Sequence, residues 1–423
     1  MTKRSFVLLA AIILLSTSSC FSQGEAGLPF LLISTSTESN GMGEASVAVN
    51  TDDPLAPIAN PAQLGALSRS YYYSYGYSSA PWLPQFQMPD LQISALAFNV
   101  GLPLRMLNDN LPPLSVGFGY SRIQMDLGTF ESTDAKGNSL GTYRAWESSD
   151  QFTLGVGVDS WVRASLGLTY KHVVSRLGVV TPGSPYHDGI GKLFDYGALV
   201  EVPIVEIVSR ATDKSFDLAP NLAPIVDWSI GFSRRNLGQG AISYSDPGFP
   251  DPLPRQACAG MSVDLGIAFG QDSCRWNPIL FKWTVEAEDI LVTNNGLHYG
   301  YKGGLGDIKY FDEVILGNTN KETAKKKGWE LTLVELFSIR GGRFEEDPLR
   351  GGRRLDTFGW GVRLSGIPRF LRAMRIPLGE ETAFLYLFNH LDFRYNYSEW
   401  TTDHSDDPLA KTAFDSFSVT FSL

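Results

Sequence analysis

One pattern constrains this chain more than any other: apolar and polar residues alternate in short segments, again and again, from residue 69 to the end. The clearest instance sets Ala259, Met261, Val263, Leu265, Ile267 and Phe269 against Gly260, Ser262, Asp264, Gly266 and Ala268. A period of two is the signature of a strand with one apolar and one polar face. The same rhythm appears in Tyr73, Tyr75 and Tyr77, in Val116, Phe118 and Tyr120, in Phe358, Trp360 and Val362, and in Leu391, Phe393 and Tyr395. It closes the chain, where Phe417, Val419, Phe421 and Leu423 alternate with Ser416, Ser418, Thr420 and Ser422. Strands of this kind number about fourteen, which makes the fold all-β.

Alternation does not say which face is outside. A soluble β-sandwich or propeller would bury the apolar set and solvate the polar one. A transmembrane antiparallel β-barrel does the reverse: it turns Phe, Trp and Tyr to lipid and keeps charges in its lumen. Three features favour the barrel. An even count puts both termini on one side, and the connections then alternate broadly between long polar loops and shorter turns. Residues 1–22 read as a secretory signal: Lys3 and Arg4, an apolar run over 6–15, then small residues to Cys20 and Ser22. Cleavage after Ser22 and lipidation of Cys20 both remain open. The last strand must meet residues 71–77 to close the cylinder, with Phe417, Val419, Phe421 and Leu423 touching lipid. Localisation in a bacterial outer membrane, in contact with its lipid, follows from this reading.

Ten charged residues fall opposite the apolar set, among them Lys282, Glu286, Arg340, Arg363, Asp392 and Arg394, and are assigned to the lumen. There they solvate the interior, pair across it, and are candidates to hold a plug. An aromatic content of 12% and 42 glycines suit interfacial girdles and close-packed strand walls. The net charge of −10 leaves no footprint for nucleic acid. Five histidines are scattered with no ligand spacing, no G-x-S-x-G elbow occurs, and no metal, cofactor or catalytic residue is assigned. Asp403, Asp406 and Asp407 read as a solvated loop rather than a calcium site. Cys258 and Cys274 fall at opposite ends of one strand, so free thiols are expected. Trp82, Phe86 and Tyr186 lie in loops, either as packing residues or as contacts for cargo or solute.

Residues 23–68 do not alternate. They carry Gly41-Met42-Gly43, a small-residue run, Asp52-Asp53-Pro54 and Asn60-Pro61-Ala62. Small residues allow close backbone approach, and Pro61 suits the first position of a helix. The segment reads as a small N-terminal plug within the barrel of residues 69–423, with a disordered tail as the alternative.

These motifs, with Gly328-Trp329-Glu330, the run from Phe337 through Arg340 to Gly342, and Thr357-Phe358-Gly359-Trp360-Gly361, resemble the PorV/PorQ family, which is related to FadL-type outer-membrane transporters. The stretch 291–327 looks like an insertion relative to that pattern. The resemblance implies a fourteen-stranded barrel with an N-terminal plug in which Gly41, Met42, Gly43, Asp52, Asp53, Asn60, Pro61 and Ala62 form the plug motif. It implies one of two non-catalytic roles. The first is association with type IX secretion components, with secreted cargo handled through extracellular loops. The second is FadL-like passive transport of a hydrophobic small molecule.

Overall fold

A computed structural model describes residues 26–70, 72–177, 188–239, 241–243, 250–270, 276–294, 299–373 and 390–422. Tyr186, Cys20, Cys274 and the signal at 1–22 lie outside the described residues. Fourteen strands form one closed antiparallel barrel. They are β1 Tyr72–Pro81, β2 Gln92–Pro103, β3 Leu114–Thr133, β4 Ser139–Asp159, β5 Arg163–Arg176, β6 Gly189–Pro203 and β7 Leu222–Gly238. The second half has β8 Gln256–Phe269, β9 Trp276–Ile290, β10 Ala324–Leu333, β11 Phe337–Glu345, β12 Arg354–Arg363, β13 Leu391–Thr402 and β14 Ala413–Ser422.

Each strand pairs with its sequence neighbours, and β14 closes the cylinder on β1. The closing register sets Tyr73 against Phe421, Tyr75 against Val419 and Tyr77 against Phe417. Tyr73, Tyr77 and Phe417 are exposed on the outer wall, whereas Ser74, Ser78, Ser416 and Ser418 are buried inside. The same split runs round the barrel: Phe98, Phe118, Leu154, Leu168, Trp283 and Phe358 are exposed while the polar residues between them are buried. A closed sheet has no unpaired edge, so an apolar exterior can sit in hydrocarbon with every strand ladder satisfied.

The structure redraws three expectations. One of the long polar connections, 128–148, which suits an outer loop by its sequence, is largely ladder: β3 and β4 stay paired to Thr133 and Ser139, with an irregularity at Gly128, where φ is +92°. Ala259 and Met261 point outward as expected but are buried rather than open to lipid. Pro61 stands one residue ahead of its helix, at the cap of Ala62–Leu67. The Asn60 side-chain oxygen accepts the Ala62 N–H at 3.1 Å, and so supplies the start signal expected of the proline.

Residues 26–70 run inside the barrel as short helical turns and irregular chain. Helix α1, Thr37–Gly41, starts at Ser36, whose hydroxyl accepts the Ser39 N–H at 3.2 Å. It packs on β11–β14, whereas helix α2, Ala62–Leu67, packs on β2–β6. Two further helices, α3 Ile204–Thr212 and α4 Gly366–Ala373, lie in connections at the short-turn end.

Candidate functional site

The N-terminal glycine motif and the C-terminal motifs are two sides of one contact. Gly43 adopts φ +66°, a left-handed conformation that suits glycine, and a Cβ there would lie 2.5 Å from the Arg343 backbone nitrogen. On the facing wall, a Cβ at Gly328 would come within 2.3 Å of the Met42 carbonyl oxygen. Thr357 stitches the seam: its hydroxyl accepts the Gly43 N–H at 2.9 Å and donates to the Gly41 carbonyl at 3.0 Å.

The six lumen charges named from sequence converge beside this seam. Glu286 accepts the N–H groups of Ser46 and Val47, each at 2.8 Å. Lys282 donates to the Asn50 carbonyl. Arg340 lies 3.6 Å from Glu38, donates to Asn396 at 2.9 Å and pairs with Glu330. Asp52 is held by Arg394 at 2.8 Å and Arg363 at 3.2 Å, while Asp392 braces both arginines at 2.7 and 2.8 Å. Five of the six therefore touch the plug, and Asp392 orients two of them.

The two plug aspartates differ. Enclosure in the barrel would raise the Asp52 pKa although the carboxyl opens onto the polar cavity, but Arg394 and Arg363 outweigh this and hold it below its usual range. Burial, with Glu38 nearby, pushes Asp53 up to about 6, against the hydrogen bonds it accepts from Ser36 and the Leu55 N–H. On the far side of the plug, Asn60 donates to the Val47 carbonyl at 2.7 Å and to Ala198 of β6 at 3.3 Å. Pro61 presses on β5, where a Cβ at Gly167 would lie 2.1 Å from its carbonyl.

Sequence reasoning missed Glu38, Glu44 and Lys326. Lys326 sits 3.3 Å from Glu286 and 4.0 Å from Glu44, and also pairs with Glu288. Strand parity was the available signal: within Lys325-Lys326-Lys327, the middle residue shares the inward face with Gly328 and Glu330. Cys258, Glu286 and Glu288 offer ligand atoms close enough for a metal ion, but Lys326 and Arg235 already supply positive charge there. Asp407 accepts the Leu409 N–H at 2.8 Å within its own loop.

The plug divides the lumen into two unlike regions. Toward the long loops lies an apolar layer of inward residues, including Ile93, Ile123, Met125, Val173, Leu193 and Phe344. Leu28, Phe30 and Leu31 of the plug fill it and are almost fully buried. Trp82 packs over this layer, edge-on to Trp400 at 6.1 Å, whereas Phe86 is exposed. Toward the short turns lies a polar cavity of about 270 Å³, lined by Asp52, Asp264, Lys282, Glu330, Arg340 and Arg394 among others.

The fold and this interior define a class, the plugged transmembrane β-barrel. No protein-family model matches the chain, and no curated protein matches it in sequence. Solved structures that resemble it include the P. putida toluene transporter TodX, with 9% identity and a TM-score of 0.39 over 92% of this chain and 98% of that one. The Ralstonia pickettii toluene transporter TbuX gives 9% and 0.40 over 93% and 100%. A Pseudomonas aeruginosa FadL homologue gives 11% and 0.39 over 92% and 98%. Likenesses this distant carry no argument about function, which rests on the barrel's own interior.

Proposed function

We propose that this protein is a non-catalytic, cofactor-free transporter that admits hydrophobic small molecules passively across a bacterial outer membrane. One observation carries the reading: toward the long loops the lumen holds a continuous layer of apolar side chains. A channel for water and polar solutes has no use for such a lining, since inward apolar surface must be covered to be stable. Here Leu28, Phe30 and Leu31 cover it. An apolar solute entering beneath the loops would take the same surface, with Trp82 at the rim. The plug motif and lumen charges would then act as the barrier below, and as the element that must shift for passage.

A secretion-associated role, with type IX components and secreted cargo as partners, is the second reading. The β3–β4 hairpin favours it, because it presents exposed Phe130 and Leu140, with Phe130 stacked on Tyr143 at 5.6 Å. The motifs that resemble PorV/PorQ favour it less, because their glycines are used in seating the plug.

Purified barrel titrated with toluene or a long-chain fatty acid tests the first reading. Saturable binding that Phe30→Ala changes, together with uptake lost on gene deletion, supports it. No binding, unchanged uptake and loss of proteins from the cell surface would transfer the case to secretion.

A further inference from the structure

The buried alanines on the outside of β8 and β9 point to a second membrane contact, independent of the transport reading. Ala257, Ala259 and Met261 alternate with Cys258, Gly260 and Ser262, and Gly260 faces the lumen, where an added Cβ would meet the Val47 side chain at 2.9 Å. The alanines and Met261 therefore face out, as does Ala287 beside the plug-binding Glu286. Nearer the short turns on the same strands, Leu265, Phe269, Phe281 and Trp283 are exposed. Ala257, Ala259 and Ala287 are almost fully buried, because the described residues of loop 291–323 fold down over the outside of the wall.

The loop is built to stay there. Leu291, Ile308 and Val314 pack on the alanines, and the Tyr310 hydroxyl donates to the Gly260 carbonyl at 3.4 Å. Lys325, pointing outward from β10, donates to the carbonyls of Gly317 and Asn318. Asp289 takes Lys302 at 3.1 Å and Arg350 at 3.2 Å. Inside the loop, Glu313 accepts the Lys309 N–H at 2.7 Å and the Asn320 side chain at 2.9 Å. Yet the same turn leaves Phe311, Ile315 and Leu316 exposed, Phe311 at 65%.

The height of this turn can be read from the wall. Val285 pairs with Lys327 and Lys327 with Arg343, so two outward cations mark one level. Two residues further toward the short turns, Trp283 pairs with Trp329 and both are 40% exposed. Cations above tryptophans are the pattern of a membrane–water boundary. Tyr310 is rooted at Gly260, beside Met261, which pairs with Val285. The exposed turn thus stands at the boundary, on the lipid side of the wall and continuous with its apolar band.

We propose that loop 291–323 is an interfacial foot that inserts Phe311, Ile315 and Leu316 among the lipid acyl chains of the long-loop leaflet. At β8 and β9 the outermost part of that leaflet then meets the loop, above the exposed Trp283 and Leu265 of the strands. Small residues on the wall beneath leave room for it.

The test places an environment-sensitive fluorophore on Phe311→Cys and Leu316→Cys, each with Cys258 and Cys274 replaced by Ala, in phosphatidylcholine vesicles containing doxyl-labelled lipid. Leu265→Cys marks the lipid band and Leu140→Cys the aqueous hairpin. Blue-shifted emission and doxyl quenching at 311 and 316, within about a factor of two of position 265, are expected of an apolar face sunk at the interface. Aqueous, unquenched emission there, with 265 quenched, overturns the proposal. Blue-shifted emission that doxyl lipid does not quench overturns it too, since a protein or a second copy would then cover the turn. Only variants with heat-modifiable gel migration are compared, and Ile315→Cys stands in for either that fails to fold.

Discussion

Two parts of the lumen wall hold the same plug by different physics. At the long-loop end Leu28, Phe30 and Leu31 are buried against inward Ile, Val, Leu and Phe, with no ion pair between plug and wall in that apolar cluster. Around the seam and below it, Asp52, Glu38 and the backbone of 46–50 are tied to Arg, Lys and Glu of β9–β13. Apolar burial is non-directional, so an apolar ligand can substitute for Phe30 without stranding a charge. A charge network lacks that tolerance: withdrawing one member leaves its partner desolvated. Exchange at the outer layer is therefore cheap in electrostatic terms, and opening the seam below it is not. On the transport reading proposed above, the barrier to passage belongs at the seam.

The largest expected effect comes from a change that drives the wall into the plug backbone. A Cβ at Gly231 of β7 would lie 2.0 Å from the Val47 carbonyl oxygen and 2.5 Å from its carbon. Gly231→Val should destabilise the seated plug by about 3 kcal/mol or more, the upper range for overpacking against backbone. Single-channel conductance should rise and protease should cut within 45–60, whereas Gly303→Val, whose Cβ would meet nothing within 4 Å, should do neither. Equal behaviour of the two variants would mean that the plug does not depend on this contact.

Phe30→Ala separates the halves. It removes a fully buried ring from the outer layer and should cost that layer about 3 kcal/mol. Hydrogen exchange should accelerate at 28–33 and stay slow at 41–47, with little dependence on salt. If both segments loosen together, the two regions form one cooperative unit and the contrast drawn above fails.

The barrel itself was open to reading from sequence because lipid on one side and a polar interior on the other force every spanning strand into period two. Closure of β14 on β1 and the outward faces of Phe358 and Tyr395 follow from that rule. The rule is silent on what lies across the lumen. Gly41–Gly43 and Gly328, Gly342 and Gly359 stand some three hundred residues apart, and nothing local states that they touch. Nor does alternation tell lipid from a folded loop, which is why Ala259 and Met261 were read as lipid-facing. Beyond the membrane nothing forces period two, so the paired tip of β3 and β4, polar and exposed on both faces, reads as a loop. Lys326 was hidden because its neighbours Lys325 and Lys327 share its charge but not its face.

Arg394→Met probes the charged half alone. Asp52 keeps Arg363 and is 54% exposed to the polar cavity, so solvent screens part of the loss. The expected cost is about 1–2 kcal/mol, below the range for breaking a fully buried pair. Adding Asp392→Asn should recover part of it, because that carboxylate has lost one of its two arginines and keeps only Arg363, and a double-mutant cycle measures the coupling. The wild-type seam should also weaken with ionic strength while 28–33 does not. Additive single effects would show that Asp392 does not orient the arginine.

The smallest effect is a pH dependence confined to the charged half. Burial, with Glu38 close by, lifts the Asp53 pKa from 3.8 to about 6, despite the hydrogen bonds from Ser36 and the Leu55 N–H and the field of Arg394. Between those values the folded chain holds a proton that the unfolded chain has released. Stability is then fully present below about pH 4 and falls as pH rises through 6. Asp53→Asn keeps the acceptor for Leu55 and cannot ionise, so the difference between wild type and variant isolates this group from Asp52, whose lowered pKa acts in the opposite sense at acid pH. Exchange rates at 36–55, measured at pH 4.5 and 7, should converge between the two proteins at the lower value and diverge at the higher, with the wild type looser. The 28–33 segment, which packs on apolar side chains away from Asp53, should be unchanged by the substitution at both. A pH response of the same size in wild type and variant would place the sensitivity elsewhere in the network.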